Sequence, residues 1–65
     1  MAEVWGVSVS TARGHKVYHA ATESEIEATS RVLKINEDED PHIEGLELVD
    51  NRWHLKPGAC QQVLP

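Results

Sequence analysis

Four histidines and a single cysteine are the residues best equipped for chemistry in this 65-residue chain, and metal binding is the chemistry they suggest. His15 and His19 stand four apart, a spacing that puts two imidazoles on one face of a helix. Their segment reads as strand, however, where positions four apart are separated by about 13 Å. Zinc sites use close pairs of ligands on suitable elements, and His42, His54 and Cys60 form none. No metal and no cofactor are expected. The histidines read as surface residues with ordinary hydrogen bonds.

Other catalytic chemistries find equally little support. General acid–base work needs a carboxyl of shifted pKa in a desolvated pocket, and the acids here gather in a segment that reads as exposed. Ser8, Ser10, Ser24 and Ser30 fall within strand or helix with no elbow glycines, and Cys60 has no evident base. The four glycines are scattered, so there is no phosphate-cradling loop. The run Glu37-Asp38-Glu39-Asp40 offers hard oxygen atoms, but it lacks the glycine of a calcium-binding loop, and Pro41 intrudes. An enzyme is not expected.

Charge is the more informative property. The formal net charge is −5, from 11 acids against 6 Lys and Arg. Residues 37–50 hold seven of those acids, Glu37, Asp38, Glu39, Asp40, Glu44, Glu47 and Asp50, and no Lys or Arg. The remainder is close to neutral. Direct binding to nucleic acid or to an anionic membrane needs a basic footprint and is disfavoured; a basic partner protein is favoured. Two readings of the stretch stand: a solvated loop that keeps the protein soluble and monomeric, or a negative recognition surface. In extended chain, Glu37 with Glu39 and Asp38 with Asp40 would line two rows, with like side chains about 6.6 Å apart. Such spaced negative charge offers Arg and Lys what a phosphate backbone offers.

In its size, its charge and this acidic run, the chain resembles the small, acidic, single-domain inhibitors encoded by phages and mobile elements. Several anti-CRISPR proteins belong to that class and act as DNA mimics. The resemblance implies a host nucleic-acid-binding complex as target, with carboxylates standing in for phosphates. A second reading is a small antitoxin, immunity-type or adaptor protein. It would bind through an apolar surface or an edge strand, 59–64 or 4–10, in a homodimer or complex. A monomer is the expectation on the first reading.

The elements that must position these residues follow from hydrophobic periodicity. Over 4–10, Trp5, Val7 and Val9 alternate with Gly6, Ser8 and Ser10, which predicts a strand with one buried face. Thr11-Ala12-Arg13-Gly14 predicts a turn with Gly14 at positive φ. Residues 15–20 predict a second, antiparallel strand, with Val17 and Tyr18 on opposite faces and the choice between them open. Thr22-Glu23-Ser24-Glu25 fits a capping box with Ala21 and Ile26 at the staple positions. It predicts a helix over 23–35, with an apolar-to-small stripe of Ile26, Ser30 and Leu33 widened by Ala28, Val32 and Ile35. Asn36 is expected as a left-handed C-cap, followed by an exposed loop through His42. Alternation resumes at Ile43 and predicts a hairpin over roughly 44–56. Its turn is Asp50-Asn51, with Leu48 opposite Trp53, Leu46 opposite Leu55 and Glu47 opposite His54. Trp53 is expected as a core anchor. Trp5 is read as core or as an exposed contact. Residues 59–64 read as a short edge strand or docked tail.

The predicted fold is α+β: an antiparallel sheet of four to five strands with one helix on one face, ordered β-β-α-β-β with a further short strand, in a single domain over 1–65. No basic stretch followed by an apolar run is present near Met1, so no signal peptide is expected. A small chain with one cysteine suits a reducing, cytoplasmic setting.

Overall fold

The computed structural model describes residues 2–49 and 55–64. Strand β1 (Glu3–Thr11) and strand β2 (Gly14–Thr22) form a hairpin in full register, with Trp5 opposite Ala20, Val7 opposite Tyr18 and Val9 opposite Lys16. Gly14 takes φ 116° at the turn, as a residue without Cβ can. Thr11 closes that turn: its hydroxyl donates to the Gly14 carbonyl at 2.9 Å and accepts from the Arg13 N–H at 3.1 Å. Helix α1 (Glu25–Ile35) follows, then a 3-10 turn (Glu37–Glu39), strand β3 (His42–Val49) and strand β4 (Cys60–Leu64). The sheet order is β3-β1-β2-β4, every neighbour antiparallel. This is a two-layer α+β fold with α1 on one face of a four-stranded sheet. No helix among the described residues is long and apolar enough to cross a membrane.

Period-two alternation puts Val7, Val9, Tyr18 and Ala20 on the face toward the helix, where they meet Ala28 and Val32. Trp5, Ile43, Leu46 and Cys60 pack around this cluster. Tyr18 is therefore the buried member of the Val17–Tyr18 pair, because it shares a face with Val7.

Three local expectations are corrected. The helix begins later than 23: Ser24, at φ −150° and ψ 162°, is the N-cap, and its hydroxyl accepts from the Glu27 N–H at 3.2 Å. The capping-box pattern occurs twice, at Thr22–Glu25 and at Ser24–Glu27. β2 decides between them by extending through Thr22, which pairs with Glu3 and is 2% exposed. The staple pairing goes with it. Ala21 is buried in the sheet, while Ile26 is 79% exposed. The inward stripe also differs. Ile26 and Ala28 are two positions apart and so point to nearly opposite sides of a helix. Ala28, Val32 and Asn36 face the sheet, leaving Ile26 and Ile35 outside.

The second correction is Asn36, whose φ of −106° is not left-handed. Its side chain is instead a buried junction. Nδ2 donates to the Val32 carbonyl at 2.9 Å and to Tyr18 Oη at 3.2 Å, and Oδ1 accepts from Lys16 Nζ at 3.0 Å. The left-handed residue is Asp40, at φ 51°, where the chain leaves the 3-10 turn.

The third concerns the hairpin. β3 pairs with β1, placing Leu46 opposite Val7 and Leu48 opposite Trp5. Leu55 belongs to no strand, so it does not oppose Leu46. Asp50, Asn51, Trp53 and His54 lie outside the described residues. Pairing with β1 uses one edge of β3, and the predicted partners Trp53 and His54 are not among the described residues. The chain then reaches the far side of the sheet through the turn at Pro57-Gly58. There Gly58 N–H donates to the Ala21 carbonyl at 2.7 Å, and Ala21 N–H to the Ala59 carbonyl at 2.8 Å. This lays β4 against β2 as an edge strand.

Asn36→Ala should destabilise the protein by about 2–4 kcal/mol in urea titration, because it leaves the buried Tyr18 hydroxyl and the Lys16 ammonium short of partners. Ile26→Ser should change stability by no more than about 0.5 kcal/mol.

Candidate functional site: an anchored acidic turn

The acidic run does not form an extended double row. Glu37–Glu39 wind into a 3-10 turn, in which successive side chains diverge by roughly 120°. Its first consequence is that one carboxylate turns inward. Glu39 receives Lys16 Nζ at 3.2 and 3.3 Å on its two oxygens, with both side chains about four-fifths buried. Arg13 approaches the same carboxylate at 3.9 Å from a largely exposed position. The Ala12 N–H donates to the Glu39 carbonyl at 2.7 Å. Two independent ties thus hold the acidic turn against the β1–β2 turn. The sheet supplies Lys16 because that residue shares the helix-side face with Val9, just beyond the end of α1.

The remaining acids distribute as follows. Glu37 and Asp38 are exposed on the 3-10 turn. Asp40 is 87% exposed, with Oδ1 at 3.6 Å from His42 Nε2. Glu44 lies at the β-bulge where the β1–β3 register skips, and its carboxylate meets His15 Nδ1 at 2.5 Å. His15 and His42 are both register partners of Ser10, one from each neighbouring strand. Glu47 is exposed on the face away from the helix, opposite Gly6. A Cβ on Gly6 would stand 3.5 Å from Glu47 Cγ and 3.1 Å from Val49 Cγ1, so the glycine leaves room for both stems to cross the strand. Asp50 lies outside the described residues.

Five of the seven acids therefore have exposed side chains: Glu37 and Asp38 on the 3-10 turn, Asp40 just after it, and Glu44 and Glu47 on β3. Glu39 is a structural anchor instead. The residues that the pattern of acids alone does not single out are Lys16 and Asn36, which fix the turn, and His15 and His42, which lie among the carboxylates. A lone Lys in a strand and an Asn after a helix carry no signal of such a role.

Two hollows open beside the helix. One of about 400 Å³ is lined by Arg31, Lys34, Ile35 and Cys60. The other, of about 380 Å³, is lined by Trp5, Ser24, Glu25 and Ile26. Burial pushes the Cys60 thiol upward, and the nearby Arg31 guanidinium offsets part of that rise. The thiol therefore stays protonated at neutral pH, the opposite of an activated nucleophile. Among the described residues, no three His, Cys, Asp or Glu side chains gather as a metal set.

The geometry defines a small two-layer α+β protein with a fixed acidic corner. Compared with known proteins, the chain matches no family model, and no curated protein or solved structure is significantly similar to it.

Glu39→Gln should cost about 1–2 kcal/mol of stability in urea titration, since it strands a mostly buried ammonium. Arg13→Gln should stay within about 0.5 kcal/mol. The folded state holds the Cys60 proton more tightly than the unfolded chain. Its contribution to stability is therefore complete below the ordinary thiol range and is lost as pH rises from that range through the raised folded value. Alkylation of Cys60 by iodoacetamide should accelerate at a higher pH in the folded protein than in urea, and Arg31→Gln should move that midpoint further up.

Proposed function

We propose that this chain is a non-enzymatic binding protein that sets the carboxylates of Glu37, Asp38, Asp40, Glu44 and Glu47 against a basic surface of a partner. The partner is a nucleic-acid-binding protein or complex in the cytoplasm, and the chain acts as a monomer by occupying its groove. The observation that carries this reading is the anchorage of the acidic turn by Lys16–Glu39 and by the Ala12–Glu39 backbone bond. These ties stabilise the fold, and they have a second consequence for a binding surface. A tied turn presents its carboxylates in constant positions, so less entropy is lost on binding. Arg and Lys side chains of the partner would take charge-assisted hydrogen bonds from these oxygens, as they do from phosphates. Electrostatic steering would speed association and make it sensitive to salt. The likeness to small acidic inhibitors of phages and mobile elements agrees with this reading. Within it, Glu39 acts as support rather than as a contact.

A second reading has its own observation. β4 is an edge strand, and its Leu64 is 58% exposed. An edge of that kind can add a strand from another chain. Sedimentation equilibrium separates the two readings: concentration-dependent dimers favour edge pairing, and a constant monomer favours the acidic corner.

The direct experiment uses tagged protein to capture partners from lysate of its native host at low and high salt, alongside the variant E37Q/D38N/D40N/E44Q/E47Q. A basic nucleic-acid-binding partner should be retained at low salt by the native chain, released at high salt, and bound at least roughly tenfold more weakly by the variant. Equal retention by both proteins at both salt concentrations would remove the proposal.

A further inference from the structure

The first turn of α1, at the end of the helix far from the acidic corner, carries a second concentration of unsatisfied groups. Ile26 is 79% exposed and Leu48 is 57% exposed. Trp5 joins them: it lines the 380 Å³ hollow with Ile26 and is the register partner of Leu48. Three large apolar side chains from three elements thus adjoin at one surface. Contiguous apolar surface of this kind, bordered by polar residues, marks interaction sites on small proteins. Glutamates gather near it. Glu25 lines the hollow, while Glu3, Glu23 and Glu27 are exposed around the same turn and the start of β1. The hollow's described lining includes no Lys or Arg. Trp5 Nε1 is itself buried, so the indole contributes apolar ring surface to the hollow and not its N–H.

We propose that Trp5, Ile26 and Leu48 form a second interaction surface, separate from the acidic corner, which takes a basic peptide segment of a partner protein with an aliphatic side chain as its anchor. The anchor packs on Ile26 and Leu48. Flanking Lys or Arg side chains meet Glu25 and its acidic neighbours. A second copy of this chain is the poorer occupant, because its net charge is −5 and self-association here would bring carboxylates together. An acidic segment is opposed for the same reason. The surface stands on its own residues, whether or not the acidic corner binds anything.

The test is an NMR titration of the full chain with the peptide acetyl-RKLLKR-amide and the control acetyl-EDLLDE-amide. The Trp5 indole resonance is identified by its loss in Trp5→Phe. The basic peptide should shift the Trp5 indole N–H and the Ile26 and Leu48 methyl signals saturably, and the control should not. Ile26→Ser, at a position exposed enough to leave the fold intact, should weaken binding by at least roughly tenfold, a difference of about 1.4 kcal/mol. E37Q/D38N/D40N should leave the affinity within about twofold. The proposal is overturned by shifts confined to residues 36–47, by equal binding of the control peptide, by no shift at all, or by patch signals that move with protein concentration alone. Because the two surfaces have separate resonances and separate variants, failure of one is distinguishable from failure of the other.

Discussion

One buried primary amide ties this small protein together. Asn36 is 1% exposed and stands where the helix, the sheet and the acidic turn meet. It takes up the Val32 carbonyl at the end of α1, the Tyr18 hydroxyl from the core face of β2 and the Lys16 ammonium. Lys16 in turn holds Glu39. An isolated ammonium would be costly in that position, and so would an unpartnered amide. Together they satisfy one another, and the acidic turn is fastened as a result. Such a network works only when every member is present.

The need for that junction follows from how thin the rest of the core is. Among the described residues the buried apolar side chains are mostly Val and Ala, with Tyr18 the largest, so the apolar area they remove from water is modest. A domain of about 60 residues buries only roughly 60% of the surface its unfolded chain exposes. β1 supplies much of what there is. It is one of the two central strands, paired with β3 and β2, and Val7 and Val9 are fully buried in it.

The fold separates polarity along the helix. At the C-terminal end, acids and their counter-charges form a fixed polar corner. At the N-terminal end, apolar side chains lie open among glutamates. Both ends are acidic in sign but differ in what they offer: the first offers hydrogen-bond acceptors held in place, the second an apolar anchor point. A hollow lined by Arg31 and Lys34 runs beside β4 and contains a thiol that burial keeps protonated.

Local pattern in the sequence determined the α+β class, the first hairpin with its Gly14 turn and the presence of one helix, read at 23–35 and found at Glu25–Ile35, while 59–64 stayed open between an edge strand and a docked tail. Each depends on neighbours within a few residues, through side-chain alternation, turn chemistry and the helical period. The concentration of acids at 37–50 was legible for the same reason, since charge is a property of composition. What tertiary structure decided was every choice between locally equivalent options. Thr22 and Ser24 were both competent caps, and strand pairing with Glu3 took Thr22 away. Ile26 and Ala28 lie on opposite sides of one helix, and the sheet accepted the smaller residue. Leu46 and Leu48 showed only alternation, and the register with β1 set them opposite Val7 and Trp5. Glu39 was one of four adjacent acids until the β1–β2 hairpin brought Lys16 beside it. In all four cases the deciding partner is remote in sequence, so no local pattern could rank the alternatives.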